Sequence, residues 1–255
     1  ILVSHAGDGF ATLAGSTYAN IHVRGLSLRS GGSAANAFKS IGMLRNCMYT
    51  DVVCTGFNNS FYFQDTWTTR LNQCASYSVT NSHVFCDTGA GGVHIFGGRY
   101  DIAASHGIYM NSVAGELIMT DVSVQFGSKA AVFVADARTV ELTQCFFEGN
   151  CIGNPSNYYL DLTRVGSNVL SSVTVRKCVI NNLADSNRNG LGIIGVTNFR
   201  IFSYEERWTR NGVSIVPFIG AGVEQVNSVL TQASTPTPLL VNIGVGLANK
   251  AVVDR

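Results

Sequence analysis

The feature of this sequence that most restricts its fold is a repeat of about two dozen residues. Eight segments begin as short alternating strands, and their first five spacings are 22, 27, 23, 23 and 24 residues, after which the gaps lengthen. A polar or glycine break and a second short strand follow each start. No amphipathic helix intervenes, so the pattern predicts an all-β fold, a right-handed parallel β-helix. The segments are Ile21–Leu28, Met43–Thr50, Arg70–Tyr77, Val93–Tyr100, Glu116–Ser123, Val140–Phe147, Val173–Ile180 and Phe199–Glu206.

The composition agrees with a solenoid, and the repeat pattern gives its extent. Charged residues make up 13% of the chain, about half the usual share of roughly 25%, while 46% of the residues are hydrophobic. We predict the β-helix over residues 1–211. Residues 212–255 form a small C-terminal β-rich segment with a short helix at Gly220–Val229, and it caps the solenoid or joins subunits. The chain begins at Ile1 without a starting Met, so we expect an N-terminal portion to precede it.

Charge and cysteine usage argue against several functions. The net charge is +1 and Lys and Arg form no run, so we expect neither nucleic-acid binding nor membrane insertion. The seven cysteines show no CxxC spacing, so we expect buried free thiols and no metal site. The GAGG sequence at 89–92 lacks the strand–GxGxxG–helix context of a nucleotide site, and we interpret it as a turn. No cofactor is predicted.

Aligning the repeats at their breaks predicts two inward columns. The first is a thiol-rich ladder in which Asp121 is the anomaly, either misaligned by one residue or a buried acid. The second alternates large and small side chains. The first column contains Cys47, Cys74, Gly98, Asp121, Cys145 and Cys178, and the second contains Tyr49, Ser76, Tyr100, Ser123, Phe147 and Ile180.

The same alignment places two acids in one outward column. Asp101 and Glu148 are separated by one coil, at which Val124 stands, so their backbones should be ~9.6 Å apart. Side-chain rotation would bring the carboxyls into the ~6.5–9.5 Å range of inverting glycoside hydrolases. Solvated acids are also common on the outer strands of any solenoid, and that reading stays open. Three candidate substrate-binding residues accompany the pair: Tyr77, Arg99 and Asn181.

Aromatic residues outside this column are further candidates for sugar binding. We interpret Thr55–Thr68 and Gly149–Asn168 as inserted loops, which carry Trp67, Tyr158 and Tyr159 as stacking platforms for sugars or as anchors onto the solenoid. Trp208 follows Glu205-Glu206 and suits either a sugar or, as we favour, a subunit contact.

The coil length, the low charge and the absence of a disulfide pattern over residues 1–211 resemble bacteriophage tailspikes and tail-fibre proteins, and more widely the pectin-lyase-like superfamily. The resemblance implies a homotrimer in the virion tail that binds bacterial surface polysaccharide, either capsule or O-antigen. Many such proteins also hydrolyse the glycan. Two alternatives remain: a non-enzymatic structural fibre or adhesin segment, and a polysaccharide lyase, which we rank last because the acids are dispersed.

Overall fold

The computed structural model shows an all-β chain that winds as a parallel β-helix, as the repeat predicts. Each complete coil passes through three parallel sheets, here called C, A and B, in that order. None of the described residues forms a helix. The structure describes residues 1–3, 6–12, 17–32, 34–112, 115–151, 158–163, 170–182, 189–194, 196–208, 218–219, 225–230 and 242–243.

Strands are numbered in chain order and pair in parallel with the equivalent strands of neighbouring coils. Sheet C contains β4 (His22–Arg24), β7 (Cys47–Thr50), β10 (Thr68–Asn72), β13 (Gly92–Phe96), β16 (Glu116–Thr120), β19 (Thr139–Thr143), β22 (Leu170–Arg176), β25 (Val196–Trp208) and β27 (Gln225–Leu230). Sheet A contains β1 (Leu2–Val3), β5 (Ser27–Ser30), β8 (Val53–Thr55), β11 (Ala75–Val79), β14 (Arg99–Ala103), β17 (Ser123–Gly127), β20 (Phe146–Glu148) and β23 (Val179–Asn182), and the last residues of β25 pair with β23. Sheet B contains β2 (Phe10–Ala11), β3 (Tyr18–Ala19), β6 (Asn36–Arg45), β9 (Asn59–Thr66), β12 (Val84–Cys86), β15 (Ile108–Asn111), β18 (Val132–Asp136), β21 (Tyr158–Thr163), β24 (Asn189–Ile194), β26 (Phe218–Ile219) and β28 (Asn242–Ile243).

The repeat is regular where the coils are complete. Thr68, Gly92, Glu116 and Thr139 pair in one column of sheet C, and their numbers differ by 24, 24 and 23. The next step, from Thr139 to its partner on β22, is 33 residues because the longer segment after β20 lies in that coil. Most of the alternating segments of the sequence therefore correspond to the strands of sheet C, with single-residue offsets at Arg70 and Glu116. The segment that begins at Met43 is shifted by four residues, because Met43 belongs to β6 of sheet B and Cys47 is the equivalent of Ile21.

A row of left-handed backbone residues forms the corner between sheets C and A. Asp51, Gln73, Asp121, Gln144 and Lys177 have φ angles of 53, 51, 57, 54 and 51°. A positive φ turns the chain sharply, and short polar side chains tolerate it better than branched ones. In each of these coils the residue after the corner is buried at the same position of the core. The residues after the five corners are Val52, Cys74, Val122, Cys145 and Cys178.

This corner corrects the first predicted column. Asp121 is exposed, and Val122 takes the buried position, so the alignment was wrong by one residue at that coil. Cys47 is also misplaced, because it lies in sheet C and pairs with Thr69. The ladder of Cys74, Cys145 and Cys178 is confirmed. All seven cysteines are buried and free, and the thiols of Cys145 and Cys178 donate to the backbone carbonyls of Met119 and Leu142, 3.6 and 3.5 Å away.

The second predicted column is correct at four of its six positions. Ser123 is wrong, because Val124 is the buried residue that pairs with Tyr100 and Phe147. Tyr49 is wrong because it lies in sheet C, where it pairs with Leu71. Inward residues of the three sheets fill one continuous core along the axis. The observed sheet A column contains Leu28, Cys54, Ser76, Tyr100, Val124, Phe147 and Ile180.

Two predicted irregular segments are regular strands instead. Most of Thr55–Thr68 forms β9, and alternate residues such as Phe61 and Phe63 fill the core, so this segment is not an inserted loop. Gln225–Leu230 is strand β27 rather than part of a helix, because it continues the pairing of sheet C. The rest of the predicted helix, 220–224, lies outside the described residues. The domain boundary at residue 211 stays a prediction.

Candidate functional site

Five outward side chains of sheet A, here called the polar ladder, stand on consecutive coils. The pairings Tyr77 to Asp101, Asp101 to Gln125, Gln125 to Glu148 and Glu148 to Asn181 place them in a single column. The shared column of Asp101 and Glu148 is confirmed. The residue between them is Gln125 rather than Val124, because the register in that coil differs by one from the sequence alignment.

Strand alternation and a corner fix the direction of the ladder. On β14 the side chain of Tyr100 is fully buried in the core, so its neighbours Arg99 and Asp101 lie on the outer side. Ile102, the residue after Asp101, has a φ of 64°, and Ser78 and Phe126 have 55° at the equivalent positions of adjacent coils. Gly149, which follows Glu148, has a φ of 57°, so in four of its five coils the ladder lies one residue before a bend at the edge of sheet A.

Hydrogen bonds connect the middle of the ladder. Nε of Arg99 donates to Oδ2 of Asp101 at 2.5 Å, and Nη2 of the same guanidinium donates to Oε1 of Gln125 at 3.3 Å. Nε2 of Gln125 donates to Oγ of Ser123 at 2.8 Å. One arginine thus holds side chains of two adjacent coils, and this arrangement restricts their rotamers.

The carboxyl of Asp101 has an unusual environment for a surface acid. Burial raises its pKa, and the negative charge of Glu148 adds to that effect, while the hydrogen bond and the charge of Arg99 oppose it. Only 7% of the residue is exposed, and Oδ1 is buried with no hydrogen-bond partner in the structure. A raised pKa favours the protonated form that a general acid requires.

The second carboxyl of the ladder is positioned by an amide. Nδ2 of Asn181 donates to Oε1 of Glu148 at 2.7 Å, and the Glu148 side chain is half-buried. Two strand spacings separate its backbone from that of Asp101, which is ~9.6 Å. The two acids therefore differ in environment: one is buried beside an arginine, and the other accepts a bond from a neutral amide.

The remaining predicted site residues do not join the ladder. Trp67 lies between β9 and β10 at the corner of sheets B and C, with 57% of its surface exposed. Tyr159 is a correction: it belongs to β21 and is fully buried, so its ring is a core residue and not a sugar platform. The backbones of Tyr158 and Trp208 pair with Asn189 and Asn182, and their side chains lie outside the described part.

Sheet B carries an outward aromatic ladder that the sequence interpretation missed. The rings of Tyr62, Phe85, Tyr109 and Phe133 stack with centroid distances of 5.5, 4.5 and 5.4 Å. Their positions repeat at intervals of 23, 24 and 24 residues, which was the signal available in the sequence. Because the ring faces lie against each other, the inner rings offer only edges to solvent, so we interpret this ladder as structural.

A buried serine–histidine pair has the distance of a catalytic dyad without its accessibility. Oγ of Ser76 lies 2.6 Å from Nδ1 of His83, and Oγ of Ser60 lies 2.6 Å from Oγ of Ser76. All three residues are fully buried inside the solenoid. A nucleophile must reach its substrate, so this network belongs to the core and not to an active site.

Fold and surface together define a parallel β-helix with a hydrogen-bonded polar ladder on one outer edge. No family model, no curated protein and no solved structure matches the chain. Within the described ranges, no group of three or more His, Cys, Asp or Glu side chains could hold a metal ion. The same ranges contain no helix long and apolar enough to cross a membrane.

Proposed function

We propose that this protein binds an extended bacterial surface polysaccharide along the polar ladder, in the manner of a phage tailspike. The observation that carries the proposal is the single column formed by an aromatic residue, two acids and two amides on five consecutive coils. A polysaccharide is a repeating ligand that offers hydroxyls as both donors and acceptors. A rigid surface with polar groups at each coil spacing of about 4.8 Å complements such a chain.

The chemistry of the ladder favours hydrolysis in addition to binding. Asp101, whose pKa is raised, acts as the general acid that protonates the leaving oxygen. Glu148, held by Asn181, acts as the base that activates a water molecule. Their backbone separation of ~9.6 Å lies just above the roughly 6.5–9.5 Å between the carboxyls of inverting enzymes, and side chains that lean toward each other bring the carboxyls within that range.

Separate substitution of the two acids tests hydrolysis. Asp101→Asn and Glu148→Gln should each lower the release of new reducing ends from capsule or O-antigen polysaccharide by about a hundredfold or more, the usual contribution of a catalytic acid or base. Glu141→Gln is the matched control, because Glu141 is an outward acid on sheet C. Unchanged cleavage in both ladder variants would remove the pair from the mechanism.

Binding without cleavage is the second candidate, and one observation favours it. Arg99 occupies one oxygen of Asp101 and the other is buried, an arrangement that also suits an ion pair with a purely structural role. In that case the wild type releases no reducing ends. Tyr77→Ala and Arg99→Ala still weaken retention on immobilised polysaccharide. Retention that neither variant changes would contradict binding along the ladder and leave the fibre or adhesin interpretation.

The tailspike proposal includes assembly and location. The protein would act as a homotrimer in the virion tail, joined through residues 212–255, with the glycan-binding surface facing the host. Sedimentation equilibrium at micromolar concentration measures the assembly directly, and a monomer at that concentration would contradict it.

A further inference from the structure

A groove at the corner of sheets B and C, here called the Gly92 notch, lies apart from the polar ladder. In the outward column of Thr68, Gly92, Glu116 and Thr139, Gly92 alone has no side chain. The space that it leaves opens toward Trp67, which precedes β10. A glycine inside a strand lacks packing contacts, and it commonly marks a close approach of a ligand or of another backbone.

Two adjacent glycines line the notch, one facing its side chains and the other packed against the backbone of the preceding coil. A Cβ on Gly92 would lie 3.2 Å from Nε2 of His94 and 3.7 Å from Oε2 of Glu116, so this space faces both side chains. A Cβ on Gly91 would lie 2.3 Å from the carbonyl oxygen of Trp67 and could not be accommodated. The resulting cavity has a volume of about 400 Å³, within the range of small-ligand sites.

The walls of the notch combine one aromatic surface with several polar groups. Trp67 is 57% exposed, and Nε2 of His94 lies 3.4 Å from Oε2 of Glu116. Thr66 also lines the notch, but the residue is fully buried, so its hydroxyl lies behind the surface that a ligand would contact.

The charges around the notch select the kind of ligand. The guanidinium of Arg45 lies 4.5 Å from the centre of the Trp67 ring, and Arg70 stands next to His94 in the same column. These cations disfavour a cationic ligand, while Glu116 disfavours an anion. A neutral ring with hydroxyls suits both conditions, because it can stack on an indole and bond to carboxylate and imidazole groups.

We propose that the Gly92 notch binds a single neutral sugar ring, stacked on Trp67 and hydrogen-bonded by Glu116 and His94. The notch and the polar ladder lie on different faces of the solenoid. This inference therefore does not depend on the function proposed for the ladder. Separate experiments therefore test the two binding sites.

Tryptophan fluorescence of the full chain tests the notch directly. The chain has two tryptophans, so a Trp208→Phe background leaves Trp67 as the sole reporter. Titration with N-acetylglucosamine, galactose and rhamnose should give a saturable change for at least one sugar, with a Kd on the order of 1 mM. Choline, a cation of similar size, should give none. Failure of all three sugars, or saturation by choline alone, would overturn the proposal.

The blocking variant is Gly92→Thr, since threonine already occupies this column at Thr68 and Thr139. It should weaken sugar binding by about tenfold or more, because its side chain fills the notch and its Cβ lies 3.2 Å from Nε2 of His94, and the melting temperature checks that the fold is kept. Trp67→Ala, followed by saturation-transfer NMR of the sugar signals, gives a second measurement that needs no tryptophan. Unchanged binding in either variant would contradict the notch. Glu141→Gln, which lies outside both the notch and the polar ladder, should keep full sugar binding.

Discussion

At the scale of single residues, the solenoid places polar groups in environments that a surface strand would not provide. His83 is fully buried, donates to or accepts from Ser76 through Nδ1, and has no partner for Nε2. Burial lowers the pKa of His83 to about 3. The hydroxyl of Tyr100, whose ring centroid is 5.8 Å from that of His83, is likewise buried without a partner. The core therefore contains a polar cluster that tolerates only the neutral imidazole.

His83 makes the fold sensitive to acid. Its pKa is about 3 when folded and about 6.5 when unfolded, so the unfolded chain binds more protons between these values. Stability is then complete above pH 6.5 and falls as the pH drops toward 3, by roughly 1.4 kcal/mol per pH unit for this group. Urea unfolding at pH 7 and pH 4.5 should show a smaller loss for His83→Gln than for the wild type. His22→Gln is the control, because His22 is exposed, and an equal loss in all three proteins would contradict this account.

The same scale shows where sequence reasoning succeeds and where it fails. Cys74, Cys145 and Cys178 were assigned correctly because each directly follows a left-handed corner residue. The sequence alignment places Asp121 and Val124 one position away from their observed positions. The coils differ in length by single residues, and a fixed period does not account for these differences. A slip of one residue exchanges the two faces of a strand, so small errors in alignment become errors in which side chain faces solvent.

At the scale of elements, stacked side chains on adjacent strands stabilise the contacts between coils. The aromatic ladder of sheet B joins four coils, and the ring of His106 also stacks on that of Phe133, at 4.5 Å. Asparagines form a second ladder between coils: Nδ2 of Asn59 donates to Asn36, and Nδ2 of Asn81 donates to Asn59, at 2.8 and 3.0 Å. In ladders of this kind, the equivalent side chain of each successive coil bonds to or packs against its neighbour.

The aromatic ladder should contribute measurably to stability. Tyr109 stacks on Phe85 at 4.5 Å and on Phe133 at 5.4 Å and lies tilted to His106 at 5.9 Å, so Tyr109→Ala removes three ring contacts and leaves a gap. We expect a loss of about 2–4 kcal/mol in the free energy of unfolding measured in urea. Phe96→Ala is the control, because Phe96 is 38% exposed and meets one ring edge-on. Equal losses in the two variants would show that the stacked rings contribute nothing beyond their burial.

The Gly92 notch is a surface site that the sequence does not predict. Its residues come from three coils, and the feature that creates it is the absence of a side chain at Gly92. A missing side chain leaves no chemical signal in the sequence, and glycines at 89–92 were interpreted as a turn. The sequence predicts the polar ladder because its two acids occupy equivalent positions of the repeat. It does not predict Gln125 at the centre of the ladder, because the alignment places Val124 there.

At the scale of the whole molecule, every proposed site depends on the register between coils. The ladder and the notch are both columns, and a column exists only if residues about two dozen positions apart are neighbours. Sequence periodicity predicted this architecture, and the parallel pairing of all three sheets confirms it. The period alone does not determine which residues face outward, because three sheets and their corners divide each repeat into segments of unequal length.

An engineered disulfide measures that register most directly. Thr120 and Thr143 are paired on adjacent strands of sheet C, and a parallel spacing of about 4.8 Å lies within the Cα range of disulfides. Thr120→Cys with Thr143→Cys should form a cross-link under mild oxidation, detected by mass spectrometry of a tryptic digest. Thr120→Cys with Glu141→Cys is two residues out of register on the same face and should not. Cross-linking of the second pair in preference to the first would contradict the stacked coils on which both binding sites rest.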